Sequence, residues 1–330
     1  MTVSKNSDAK KSPPFIHMQT ALDIAPRSPH PTNKIAAVLF GKDAKGKDFS
    51  VVRTNHWPDP IYELIGTKKD IGNSSGTIHA ETACITSSPE ATEGAAICIT
   101  DPFCPNCAKN MAEAGIKTIY IDQDGFDKDF FKRRGDHFDT MSMQICERAG
   151  ISVYALNMKT EEITPKLEIS DDYKPTEDSP IVKEPIESAS DAVLFDIIET
   201  ATKIHQRRKF AIALVEDKEG RKFALTSRGH VVVGFSMEKP EEALDLLTPI
   251  GKYSFVQEPV NRLMMHLSRK GYKLIEGYFY CSQVPTSREQ VNLVGAGIKR
   301  ITVGDIQKCR DPHGLKAMQV LRDLKILDYS

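Results

Sequence analysis

Apolar and polar positions in the first half of the chain change period several times, and each change predicts an element. Ile35-Ala36-Ala37-Val38-Leu39-Phe40 is a continuous apolar run stopped by Gly41, and Phe49-Ser50-Val51-Val52-Arg53 follows the turn-like Asp43-Ala44-Lys45-Gly46-Lys47. Two short runs around such a turn predict a β-hairpin. A longer loop spans residues 55–75. Beyond it Ala80, Ala83 and Cys84 fall at helical spacing with no Gly or Pro from 77 to 85, which puts His79 near a helix start. Residues 95–100 then read as a strand, Asp101-Pro102 as a turn, and 107–114 as a small-residue helix closed by Gly115. A strand over 117–121, a helix over about 136–148 and a strand over 151–155 continue the alternation, which is that of an α/β unit. A helix over 15–25 precedes the whole, after a polar tail over 1–14 rich in Lys, Ser and Pro.

From about 159 to 190 the composition shifts to Glu, Asp, Pro, Lys and Ser with little apolar periodicity, as in an exposed linker. Then the pattern restarts. Lys209-Phe210-Ala211-Ile212-Ala213-Leu214-Val215 and Gly220-Arg221-Lys222-Phe223 retrace the first hairpin. Ala114-Gly115-Ile116-Lys117-Thr118-Ile119 is echoed by Ala296-Gly297-Ile298-Lys299-Arg300-Ile301, an offset of 182 (299 minus 117). Two copies of one supersecondary unit are expected. The expected boundaries are a tail over 1–14, a first domain over 15–158, an acidic Pro-rich linker over 159–190 and a second domain over 191–330.

Hydrophobic residues at 40% and charged residues at 27% fit a globular protein, and the apolar runs are too short to cross a bilayer. No apolar leader follows the polar start, so a cytoplasmic location is expected and a membrane partner is not. The formal charge of -1, from 44 basic and 45 acidic residues, offers no global field for a phosphate backbone. Nucleic acid is therefore disfavoured as a partner against a small molecule. The clusters Lys132-Arg133-Arg134 and Arg207-Arg208-Lys209 read as solvated faces. Seven cysteines are an odd number spread over a long chain, unlike a disulfide framework, and only Cys104 and Cys107 have metal-ligand spacing.

His79-Ala80-Glu81 and Cys104-Pro105-Asn106-Cys107 together form a H-x-E plus C-x-x-C arrangement. A catalytic Zn2+ takes three nitrogen or sulfur ligands and leaves a fourth position for water. Two cysteines three residues apart lie on one face of a helix start, and an imidazole from a second helix closes the third corner. Helix N-termini favour thiolate over thiol. Glu81 is then spare, and its carboxylate is placed for proton transfer. A structural zinc site has no use for such a group two residues from a ligand, so Glu81 separates an enzyme from a zinc-stabilised binding module.

Thr77-Ile78-His79-Ala80-Glu81 and Cys104-Pro105-Asn106-Cys107-Ala108-Lys109, with Ala114-Gly115-Ile116-Lys117, resemble the deoxycytidylate deaminase branch of the cytidine deaminase superfamily, over roughly residues 34–156. With the strand pattern, the resemblance implies two tandem three-layer α/β/α domains, each with a mixed five-stranded sheet. It implies zinc on His79, Cys104 and Cys107, with Glu81 as the proton shuttle. The implied reaction is hydrolytic deamination of a cytosine-type nucleoside or nucleotide to the uracil form. Asn55, at the end of the second strand, matches a nucleoside contact of that family, and Ala80 and Phe103 are placed at the substrate with it. One departure concerns the base: the family has Pro directly before the first zinc cysteine, whereas Asp101-Pro102-Phe103-Cys104 shifts the proline and inserts Phe103.

In the second copy the offset sets Thr286 and Glu289 against Cys104 and Cys107, and Val256-Gln257-Glu258 is the nearest counterpart of His79-Ala80-Glu81. That copy is expected to hold no zinc and to replace a partner subunit, since members of the superfamily commonly work as oligomers; a homodimer of the whole chain stays open. A deaminase acting on tRNA or single-stranded nucleic acid, and a non-catalytic zinc-stabilised module, remain the alternatives.

Overall fold

The computed structural model describes residues 12–330 apart from 69–70, 72–75, 133–134, 207, 239–244 and 250–252. The expected tail over 1–14 falls almost wholly outside the described residues, as do Arg133, Arg134 and Arg207 of the two basic clusters. No helix among the described residues is long and apolar enough to cross a membrane.

Among the described residues the chain forms two six-stranded mixed sheets and a two-stranded pairing of His230–Val231 with Val256–Gln257. In the first half, α1 (Pro13–Ile24) precedes β1 (Ala36–Lys42) and β2 (Asp48–Thr54), then α2 (Ala80–Thr86), β3 (Ala96–Ile99), α3 (Pro105–Glu113), β4 (Thr118–Asp122), α4 (Met143–Ala149), β5 (Ser152–Asn157) and β6 (Glu162–Leu167). The β1–β2 hairpin is tight because Asp43 Oδ1 accepts from the Lys45 and Lys47 amides while Gly46 takes the left-handed region at φ 78°. The sheet order is β2-β1-β3-β4-β5-β6; β1 is antiparallel to β2 and β3, β3, β4 and β5 are parallel, and β6 returns antiparallel.

In the second half β7 (Val182–Ile186) and α5 (Asp191–His205) lead into β8 (Phe210–Glu216), β9 (Lys222–Arg228), α6 (Pro259–Lys270), β10 (Lys273–Gln283), α7 (Ser287–Gly295), β11 (Arg300–Asp305), α8 (Gly314–Asp323) and β12 (Asp328–Tyr329). Read from the far edge, the order is β7-β9-β8-β10-β11-β12, with the same directions as β2-β1-β3-β4-β5 over the five strands they share. The equivalence extends to single bonds. The Asn55 amide donates to the Ile35 carbonyl and the Gly229 amide to that of Lys209; Ala36 N donates to Thr100 Oγ1 and Phe210 N to Ser282 Oγ.

Each sheet therefore has six strands rather than the expected five. The extra strands, β6 and β7, lie within the segment read as a linker. They are edge strands, mostly exposed, and both contain Pro, which an edge tolerates because it need not donate on its outer side. The helix expected over 136–148 is broken into a short turn, a π segment over Phe138–Ser142, and α4. The loop expected over 55–75 contains a short helix, Asp59–Leu64.

One face of each sheet carries a single helix: Phe15, Met18 and Ala21 of α1 pack on Val38 and Cys98, and Leu194 and Ala201 of α5 pack on Ile212 and Leu214. The opposite faces meet in one large core. There α6 of the second half lies against α2 and α3 of the first. Buried polar groups pin this interface: Arg262 pairs with Glu113 at 3.2 Å, and Lys109 Nζ donates to the Val256 carbonyl at 2.7 Å.

The equivalence corrects one alignment. Glu258 is the N-cap of α6 and so stands where His79, the N-cap of α2, stands; Val260 occupies the position of Glu81. Thr286 caps α7 as Cys104 caps α3, and Glu289 sits where Cys107 does. Lys209, in the register of Ile35, places its ammonium 2.8 Å from Glu289 and 3.2 Å from Glu258, and Thr286 Oγ1 lies 3.0 Å from the same Glu289 oxygen. Burial works against the Lys209 charge, but Glu289 and then Glu258 outweigh it and raise its pKa. A side-chain cation thus bridges, in the second half, the equivalents of His79 and Cys107. Because removing one partner of a buried pair leaves the other charge uncompensated, Lys209→Met should destabilise the chain by about 3–5 kcal/mol in urea unfolding. Lys209→Met with Glu289→Gln should recover part of that loss; equal midpoints for parent and single variant would refute the assignment.

Candidate active site

In the first half two helices begin side by side at the ends of β-strands. The chain leaves β2, passes an isolated bridge between His56 and Ile78, and starts α2 with His79 as N-cap in extended backbone. It leaves β3 through Asp101-Pro102 and starts α3 with Cys104 as N-cap and Pro105 in the first turn, where a missing N–H is harmless. Cys107 follows one turn on. His79 Nδ1 is 3.1 Å from Cys107 Sγ and 3.7 Å from Cys104 Sγ, and the two sulfurs are 3.6 Å apart.

Zinc bonds of about 2.3 Å to sulfur and 2.0 Å to nitrogen imply tetrahedral edges of about 3.8 Å between sulfurs and 3.5 Å from sulfur to nitrogen. The observed triangle has that size, and its donors are those zinc prefers, so the three residues fit the metal. They are the one group of three or more potential ligands among the described residues whose donor atoms lie within 4.8 Å of one another. Cys84 and Cys98, the nearest other thiols in sequence, are buried apart from it, and burial pushes the Cys84 thiol up to about 12. The hydrogen bond between the two thiols, and then the charge of His79, hold Cys104 well below the ordinary thiol range against its burial, and Cys107 is raised in turn.

Glu81 lies in the first turn of α2, 4% exposed, within hydrogen-bonding reach of Cys107. Burial raises its pKa, opposed chiefly by His79. His79, Glu81, Cys104 and Cys107 all wall one cavity of about 460 Å³, the size of a small-molecule site. Asn55, Ala80 and Phe103 line it too. Asn55 is tightly engaged: its Oδ1 accepts from Ser28 Oγ and the Ile35 amide, and its Nδ2 donates to the Asn33 carbonyl. Phe103 is 3% exposed and meets Phe138 edge-on at 5.3 Å, so it is a packed wall.

The cavity also has walls that no motif announced. Tyr253, Asn261, Arg288 and Asn292 reach it from the second half, and His30 stacked on Trp57 closes another side. Asn110 donates to Thr82 at 2.9 Å and Asn292 to Asn261 at 3.0 Å, equivalent pairs of the two halves, and all four residues line the cavity. The one sequence signal, for Arg288 and Asn292, is the repeat register, which sets Arg288 against Asn106 within the cysteine motif and Asn292 against Asn110 just after it.

No protein-family model matches the chain. Over 126 residues, 38% of this chain and 81% of the relative, it is 27% identical to a protein of Aliivibrio fischeri named as an uncharacterized deaminase in the luxG 3' region. Among solved structures it is similar to dCMP deaminase from the cyanophage S-TIM5. The apo form is 22% identical, with 43% of this chain and 96% of that one covered and a TM-score of 0.30. The complex with dCMP and dUMP is 19% identical, with 43% and 94% covered and a TM-score of 0.31.

Proposed function

We propose that the chain is a zinc-dependent hydrolytic deaminase that converts a cytosine-type nucleoside or nucleotide to the uracil form and releases ammonia. One observation carries this reading: His79, Cys104 and Cys107 converge at zinc-site spacing with the buried Glu81 carboxyl beside them in the wall of a ligand-sized cavity. Zinc in such a site supplies a Lewis acid that brings the pKa of water toward neutrality. Glu81 takes one proton of the attacking water at its carboxylate and delivers it to the ring nitrogen, where the uracil form keeps it; it then takes the remaining proton from the added hydroxyl and delivers it to the amine, which leaves as ammonia while the carbonyl forms. Its burial keeps bulk solvent out of that transfer. The similarity to a protein named as a deaminase supports the same chemistry.

Asn55, Ala80 and Phe103 hold the substrate in this reading. Both Oδ1 contacts of Asn55 serve the neighbouring loop, so the group it can offer a ligand is the second N–H of its amide. Ala80, the first helical residue of α2, offers a backbone N–H that the helix itself does not use. Phe103 supplies an apolar wall. The residues of the second half that close the cavity favour a small molecule over a polymer, in line with the balanced charge. We read the second half as an inactive copy: its sheet order matches, and Glu258, Thr286 and Glu289 stand where ligands would, with the Lys209 ammonium against the two carboxylates.

Two outcomes test the reading. The purified chain should carry one zinc, chelation should abolish ammonia release, and added zinc should restore it; ammonia release unaffected by exhaustive removal of metal would refute zinc dependence. The substrate panel is cytidine, deoxycytidine, their monophosphates, adenosine, guanine and short RNAs. Glu81→Ala should keep its metal and lose activity by about 10²- to 10⁴-fold, the usual contribution of a general acid or base. Full turnover in that variant would sink the assignment.

A further inference from the structure

The second half does more than cover the cavity, because α7 is docked on the residues that lead into His79. Arg288, in the first turn of α7, donates from its guanidinium to the Thr77 carbonyl at 2.6 Å. Two turns on, Gly295 comes so close to Ile78 that a Cβ there would lie 2.7 Å from Ile78 Cδ1. From the other side the backbone of Ile78 is paired with His56, donating at 2.8 Å and accepting at 3.2 Å. Thr77 and Ile78 are thus held between the end of β2 in the first half and a helix of the second. The next residue is the imidazole ligand, at a helix N-cap whose own side chain makes no capping bond to hold it.

We infer that Arg288 is a positioning residue for the metal centre, supplied across the domain interface: it fixes the backbone that aims His79 at Cys104 and Cys107. The inference rests on reading those three residues as a zinc site. It gives the inactive half a definite task, since the imidazole is oriented by a contact the first half does not make for itself. Partners that orient metal ligands usually contribute a factor of 10–100 in metal affinity.

Zinc affinity measured by chelator competition on the full-length chain tests it, with the melting temperature of the metal-free protein as control. Arg288→Met should weaken zinc binding by about 10- to 100-fold while the metal-free melting temperature stays near that of the parent. Arg288→Lys, which keeps a donor for the Thr77 carbonyl, should recover most of the affinity. Gly295→Ala, which crowds the Ile78 side chain and leaves Arg288 intact, should loosen the metal by less, and Arg288→Gln carries the test if Arg288→Met does not fold. Parent-like zinc affinity in Arg288→Met, or in Arg288→Gln where that variant carries the test, overturns the inference and leaves the deaminase reading standing. A parent chain that binds no zinc overturns both.

Discussion

Two helix N-termini are brought together at one end of each sheet, and the polarity of that junction governs everything around it. In the first half α2 and α3 begin within one side chain of each other; in the second, α6 and α7 do the same. Helix starts present unpaired N–H groups and the positive end of the backbone dipole, so each junction calls for anionic groups. The first half places Cys104, Cys107 and Glu81 there, and of these Cys104 is the one whose ionised form the surroundings favour. The second answers with Glu258 and Glu289; Glu289 takes the Val260 amide on one oxygen and the Thr286 amide on the other, and so satisfies both helices. Anions gathered out of water then need a cation. In the second half the cations are the Lys209 ammonium, against both carboxylates, and the Arg310 guanidinium, against Glu258. In the first, the Cys–Cys–His donor set is of the kind that takes a metal.

The two halves also explain where the cavity lies. Each sheet covers one face with a single helix and turns the other toward its counterpart, so the helices that carry the junctions pack together across the interface. A cavity at the junction of α2 and α3 is necessarily walled by α6 and α7. Equivalent residues do different work on its two sides: Asn106 lies within the cysteine motif, while Arg288 in the same register reaches across to Thr77.

Much of the first half was legible in the sequence because its elements are buried and so carry strong periodicity. The hairpin, the strands at Ala96–Ile99 and Thr118–Asp122, and His79 at a helix start all follow from apolar runs, turn residues and the absence of breakers. The strands β6 and β7 left no such trace. Their side chains face solvent on both sides, so nothing alternates, and Pro165 and Pro185 argued against strands although both sit on edges. The pairing of Glu258 with Glu81 failed for a different reason: identity of residue type pointed one way, while position on the helix, which decides where a side chain points, set Glu258 against His79. The walls from the second half were invisible because contacts spanning some two hundred positions follow from how the domains meet, on which local pattern is silent.

The polar cluster of the second half raises the question of why it was not simply filled with apolar residues, since a buried ion pair is often matched in stability by a hydrophobic replacement. The helix starts supply the answer. An apolar side chain at Glu289 would remove the acceptor for the Val260 and Thr286 amides at once, leaving buried donors with no partner, at about 1–3 kcal/mol each. Once that carboxylate is required, a cation beside it is favoured too, and Lys209, the residue before β8, supplies it. The retention of charge at this position therefore follows from the fold alone. In the first half the same geometric demand is met by sulfur and imidazole instead of carboxylate and ammonium. There the fold's electrostatic need and a metal's ligand preference coincide, so one arrangement of helix starts accommodates either an ion pair or a metal-type donor set.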